Sequence, residues 1–290
     1  MRNDGYYQRE ILNFLAVPLM LLSAVYCLMP LFRLPPPDVS AAAVCLFAAV
    51  IYAAKQRFDA IKMLLATGGV SLLCYAAFAV YTALLPSFAA ILKSRYVLYG
   101  AIAAVDKLLF GNTLTEQILR TDYSGAMLTA SGLVTGAADI FAANPGKASA
   151  SVSQWLSGAY FGSLFLPFGL LASVWKLAGK RERLLLVCTA AAAVFSGDAS
   201  FFLVAAVLIQ PLSIPLYCVV SALAYWCSAR MDFRIGFASS PSLFELVRYR
   251  QSLLLFLLTG AVLAAVQYYS VAWLGRRTEK YREEKEDESS

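Results

Sequence analysis

The sequence predicts an all-α fold, a polytopic membrane helical bundle with re-entrant or broken helices. Three observations carry this. First, 60% of the 290 residues are hydrophobic and only 14% are charged, with a mean hydropathy of +0.66. Second, several apolar runs approach or exceed the roughly 20 residues that an α-helix needs to cross a bilayer. Third, one long apolar passage, Phe195 to Trp226, is interrupted by Ser196-Gly197-Asp198-Ala199-Ser200 and then by Gln210, Pro211, Ser213 and Pro215. Prolines lack an N–H and clash with the preceding turn, so they break a helix ladder. Backbone freed in lipid must be shielded by protein or line a polar cavity, and discontinuous helices near the midplane are a common way to build a solute site.

The elements follow in order. Residues 1–10 are polar, with Arg2 and Arg9, and no cleavable signal peptide is expected. Ile11 to Phe32 reads as a first span, with Pro18 and Pro30 at bends or ends. Arg33 to Asp38, RLPPPD, is a stiff loop. Val39 to Ala54 is a short second apolar segment, followed by Lys55, Arg57 and Lys62. Ile61 to Leu85 makes a third span, in which Gly68-Gly69 permits close helix contact.

Between Pro86 and Ala150 the pattern weakens. Tyr96 to Phe110 is apolar but carries Asp106 and Lys107. Residues 111–121 are amphipathic. Ala126 to Ala143 is rich in small residues, and Asn144-Pro145-Gly146 is a turn. Short helices and re-entrant pieces packed on the bundle are expected here. Trp155 to Trp175 is a clear span, its tryptophans placed as interface anchors would be, and Pro167 predicts a kink. Leu184 to Phe195 spans only about half a bilayer. With the polar break and the run to Ile209 it predicts a hairpin or broken helix. Leu212 to Cys227 follows, then a mostly polar stretch, then the last span, Leu253 to Trp273. The chain thus divides into a membrane domain, 1–275, and a charged tail, 276–290, expected to lie in water.

The net charge of +6 does not point to nucleic acid. The Lys and Arg cluster at the N-terminus, at 55–62, at 176–183 and after 275, beside apolar runs, which is a topology signal. By the positive-inside rule the N-terminus, the 55–62 loop and the C-terminal tail face the cytoplasm. Cys27, Cys45, Cys74, Cys188, Cys218 and Cys227 lie in or at the ends of apolar runs without metal-ligand spacing. The sequence has no histidine, which excludes His-based acid–base catalysis and the common His-containing zinc sites. No metal or cofactor is expected.

The order of these features resembles the membrane-embedded enzyme IIC subunit of the bacterial phosphoenolpyruvate:sugar phosphotransferase system, in its glucose/N-acetylglucosamine branch. LFAAVIYAAKQRFDAIKMLLATGGV (46–70) is similar to the family's early IFAIGVAIGLAK…GAAALAG segment. VDKLLFGNTLTEQIL (105–119) is similar to LNRLLIPLGLHHVL, and ADIFAANPGK (138–147) to a shortened DLNRFFAGDP. Residues 157–183 resemble GFFPIMMFGLPAAALAMYHTAKPENR. SGDASFFLVAAVLIQPL (196–212) resembles TGITEPIEFSFMFLAPL, and RIGFASSPSLFELV (234–247) resembles GFSFSAGFIDYVL. The similarity runs from about residue 10 to 270, each piece weak and the shared order carrying the weight.

The resemblance implies an enzyme IIC-like bundle in a bacterial inner membrane, a sugar substrate, separate enzyme IIA and IIB partners on the cytoplasmic face, and a homodimer. The chain departs from the family where sugar is bound. The family's His-His pair falls at Thr115 and Glu116. The two glutamates of GITEPIEF fall at Ser200 and Leu203, and the proline between them at Phe201. Asp198, two positions before Ser200, supplies a carboxylate if the loop is rearranged, and Glu116 supplies another. The candidate substrate-binding residues are therefore Asp198, Ser200, Glu116 and Thr115. Each has a plainer reading: Asp198 as a helix N-cap or turn carboxylate, Glu116 as part of a solvated face. Asp106 and Lys107 match the family's Asn-Arg pair and are expected to hold segments together. Two other functions stay open: a degenerate homologue acting as sensor, scaffold or uncoupled facilitator, and an unrelated small-molecule transporter.

Overall fold

The computed structural model describes residues 150–231 without a break, most of 96–143 and of 233–288, and scattered helical positions in 15–27 and 76–83. The expected loop at 33–38, the second apolar segment, Gly68-Gly69 and the turn at 144–146 lie outside the described residues, as do most positions of the first and third spans.

The described chain is helical. Helix α1 is Tyr96–Phe110 and α2 is Thr113–Arg120. A short antiparallel hairpin follows, β1 Ala126–Thr129 with β2 Gly132–Thr135, then α3 Ala137–Ala143. Helix α4, Ala150–Tyr160, passes through a π-helical turn, Phe161–Phe165, into α5, Leu166–Val174. Helix α6 is Lys180–Ser196, α7 Ser200–Ile209, α8 Ser213–Met231, α9 Leu243–Arg248 and α10 Leu253–Glu288.

Among the described residues three helical stretches are long and apolar enough to cross a membrane: Val152–Val174, Ser213–Met231 and Leu253–Arg276. This is a membrane protein. The first of them is the most enclosed by neighbouring helices, and the last is the least. Large apolar side chains stand out on the outer faces, among them Val219, Leu254 and Val262, as lipid contact requires.

Contacts along the helices fix their directions. Tyr99 of α1 meets Trp155 of α4 edge to face, and further along the same two helices Lys107 bonds Ser163. Helix α1 therefore runs parallel to the α4–α5 span. Phe256 stacks on Phe161, and Cβ atoms added at Gly260 and Gly169 would strike Phe165 and Ala264, so α10 runs the same way. Helix α8 runs opposite: Tyr225 lies against Gly158, and its Tyr217 bonds Gly162. Small residues permit these approaches. A Cβ on Gly100 would stand 2.7 Å from the Ser221 carbonyl oxygen, and Ser221 Oγ donates to the Gly100 carbonyl at 2.8 Å.

Proline chemistry explains the bend at 161–167. In an α-helix the Ser163 carbonyl would accept from residue 167, which is Pro167 and has no N–H. The turn instead widens, and the Leu166 N–H reaches back to the Phe161 carbonyl, the i→i−5 register of a π-turn. The broken passage is as expected. Helix α6 ends at Gly197, which takes φ +82°, a conformation glycine adopts freely. Helix α7 begins at Ser200 and packs on α6. Pro211 follows the end of α7, and Pro215 falls in the first turn of α8, where its missing N–H costs nothing.

Two expectations are corrected. Residues 126–135 are a hairpin rather than short helix; Gly132 takes φ +123° after the turn, beside the β-favouring Val134 and Thr135. Trp155 is no interface anchor, being buried against Tyr99. Its counterpart Trp175 is partly exposed, with the Arg183 guanidinium 5.3 Å from its ring centre. The charged tail continues α10 as helix to Glu288.

Candidate functional site

Ser163 is the central residue of the 23-residue span Val152–Val174. Lys107 Nζ donates to its hydroxyl at 2.7 Å. Lys107 is 3% exposed, so an ammonium sits at the mid-depth of the bundle. A Cβ on Gly162 would come within 3.1 Å of Nζ, so the absence of a side chain there makes room for the charge. Placing a lysine at a membrane midplane costs about 2.5–3.5 kcal/mol on insertion scales, and such residues mark functional sites by default.

Two carboxylates share this environment. Asp106, the neighbour of Lys107 on α1, is 2% exposed. It accepts from the Thr115 backbone N–H at 2.9 Å and from Thr115 Oγ1 at 2.8 Å. The backbone bond satisfies an orphan donor in the first turn of α2. Asp198 sits in the break between α6 and α7 and is 8% exposed. Its own N–H donates to Ser196 Oγ at 3.1 Å. Its carboxylate accepts from the Ser200 N–H at 2.9 Å and from Ser200 Oγ. Both carboxylates lie within electrostatic range of Lys107. Tyr217 of α8 closes the group, interacting with Asp198 and donating from its hydroxyl to the Gly162 carbonyl at 2.6 Å.

Thr115, Asp198 and Ser200 thus belong to one buried polar cluster, joined through Asp106, Lys107 and Ser163. Asp198 adopts the turn-closing role at the start of α7 and, in addition, lies within electrostatic range of buried Lys107. Thr115 has its hydroxyl engaged with Asp106. Glu116 is half-buried beside half-buried Gln117, while Thr115, Ile118 and Leu119 are the buried positions of α2. Asp106 does hold segments together, tying α1 to α2. Sequence reasoning assigned the same role to Lys107 and did not place Ser163 or Tyr217 in the site. Two charged residues within the apolar run 96–110 were the available signal. Ser163 and Tyr217 had none, since single hydroxyls are common in membrane helices.

Chemically, the cluster offers carboxylate acceptors, an ammonium donor and several hydroxyls in a buried interior. Such a set suits hydroxyl groups of a neutral solute, for which a buried carboxylate is a strong acceptor. Among the described residues no group of His, Cys, Asp and Glu is placed to hold a metal ion. Fold and site together define a polytopic helical membrane protein with a charged centre at mid-depth. No protein-family model matches the sequence, and no curated protein matches it.

Proposed function

We propose that the chain is a membrane-embedded sugar permease subunit, enzyme IIC-like, of a phosphoenolpyruvate-dependent sugar phosphotransferase system, with a solute site rebuilt around Lys107 and Asp198. The observation that carries this reading is the buried ammonium at the centre of the Val152–Val174 span, set against a carboxylate at the tip of a broken helix. Asp198 and Ser200 occupy the stretch that resembles the family's glutamate motif. Thr115 and Glu116 occupy that of its histidine pair. Lys107 adds a donor at the same depth.

Phosphoryl transfer in this reading requires separate enzyme IIA and IIB proteins at the cytoplasmic face of a bacterial inner membrane, and the subunit works as a homodimer. Charge and direction together support this orientation. The Val152–Val174 and Leu253–Arg276 spans run the same way, so the basic stretch 176–183 and the tail after 275 share a side, which the positive-inside rule makes cytoplasmic.

The test is calorimetric titration of the purified protein in detergent with glucose, N-acetylglucosamine, maltose and related sugars. A dissociation constant at or below about 1 mM, roughly −4 kcal/mol, supports the permease reading. A folded sample that binds none of them refutes it and favours the second reading, a degenerate homologue acting as sensor, scaffold or uncoupled facilitator. One observation speaks for that alternative: Asp106, Asp198 and Lys107 already spend hydrogen bonds on Thr115, Ser200 and Ser163.

A further inference from the structure

Among the described residues five buried side chains have polar atoms without a hydrogen-bond partner: Ser153 Oγ and the Tyr225 hydroxyl, and Ser213 Oγ, Gln210 Oε1 and both amide atoms of Gln267. All are at least nine-tenths buried, Ser213 and Gln267 completely. Leaving such groups unpaired inside a membrane bundle is strongly unfavourable, so their positions call for an occupant that bonds to them.

Ser153 and Tyr225 lie towards the Gly158 end of the bundle, whereas Ser213, Gln210 and Gln267 share the other half. Ser213 lies one turn before Tyr217 on α8. Because α8 runs against α4–α5, that step leads away from the cluster towards the end of α5 that carries the basic stretch 176–183. Gln210 is at the turn just before α8, and a Cβ on Gly275, near the end of the α10 span, would stand 3.4 Å from its Nε2. Gln267 lies on α10 between Gly260, packed on Phe165, and Gly275. All three groups therefore occupy the half of the bundle between the charged centre and the basic end.

We propose that Ser213, Gln210 and Gln267 line a polar passage joining the Lys107–Asp198 cluster to the basic face of the bundle, and that it admits water and neutral, hydroxyl-bearing solutes. The chemistry sets the class. A hydroxyl and two primary amides carry no net charge, so they offer an ion no compensation, but they donate to and accept from O–H groups on any side. The passage deepens the permease reading by giving the solute site its route to one face.

The test is cysteine accessibility in membrane vesicles, with the full chain and its six native cysteines changed to serine. Ser213→Cys, Gln210→Cys and Gln267→Cys are each treated with a small membrane-impermeant methanethiosulfonate supplied from the basic side. Val219→Cys, on the outer apolar face of α8 and 65% exposed there, is the lipid-facing control. At least two of the three passage positions are expected to react about tenfold faster than the control. Rates equal to the control overturn the passage. If these variants do not fold, hydroxyl-radical footprinting of the unaltered chain decides. Tyr217, at the inner end of the passage, is then expected to be oxidised more than Tyr160, which is equally buried; equal oxidation overturns the proposal. Labelling needs no sugar, so the two readings fail separately. Reactive passage positions without sugar binding leave the passage standing and remove the permease assignment, whereas sugar binding with unreactive positions does the reverse.

Discussion

The Tyr217 hydroxyl donates to the Gly162 carbonyl at 2.6 Å, and that carbonyl is one Pro167 leaves unserved. In the π register of this turn, the donor for Gly162 would be the N–H of residue 167, which proline lacks. A side chain from the antiparallel helix α8 supplies the missing hydrogen. The same turn places Ser163 against Lys107, so the proline, the tyrosine and the buried lysine form one arrangement.

Tyr217→Phe removes this donor and is expected to cost about 1–3 kcal/mol, the penalty of an unsatisfied buried acceptor. In a Pro167→Ala background the backbone provides its own N–H, and the same change is expected to cost less. A double-mutant cycle by denaturation in detergent measures the coupling. A coupling of zero would separate the tyrosine from the proline.

Lys107→Met leaves buried Asp198 and Asp106 without the nearby cation. Removing one partner of a buried charge group typically costs about 3–5 kcal/mol, and the variant is expected to unfold at clearly lower denaturant. Lys107→Met combined with Asp198→Asn is expected to regain part of the loss. A single variant as stable as the parent would show that the three groups do not depend on one another.

Asp198→Asn is expected to weaken sugar binding at least tenfold, about 1.4 kcal/mol, and Glu116→Gln by less, since Glu116 is only half-buried. Titration of both variants against the parent's ligand checks this. A curve unchanged in Asp198→Asn removes the carboxylate from the site.

Gly169→Ala forces a methyl group to within 2.2 Å of the Ala264 carbonyl oxygen, a contact between two backbones that no rotamer relieves. Separating α5 from α10 is expected to cost at least about 1–3 kcal/mol. Thermal unfolding in detergent gives the value, and a neutral result would mean that the two helices are not packed at this point.

Lys180→Cys and Arg276→Cys are expected to react with an impermeant thiol reagent from the same side of the membrane. Reaction from opposite sides would contradict the parallel course of the two spans that precede them.

The elements written in long patterns were legible in the sequence. The span ending at Trp175, the break at 196–200 and the last span are set by local rules: apolar length, a glycine that ends a helix, prolines that cannot continue one. The hairpin at 126–135 was not legible, because small residues interspersed with Thr and Val favour neither state strongly and pairing across the turn decided it. The role of Trp155 was misread for a similar reason: a tryptophan near a span end fits an interface belt or a helix contact equally well until its neighbour, Tyr99, is known.

For the site, the sequence by itself determined which residues carry charge into the membrane: Asp106, Lys107 and Asp198 stand out because ionisable side chains in apolar surroundings are costly. Only the tertiary structure decided that they come within electrostatic range of one another. Lys107 lies on α1 and Asp198 in the break before α7, far apart in the chain, and their approach depends on the packing of α1 and α4 on α8, on the π-turn that presents Ser163, and on the packing of α7 against α1. Those are relations between surfaces, set by shape and by the need to satisfy buried polar groups, and no local pattern records them.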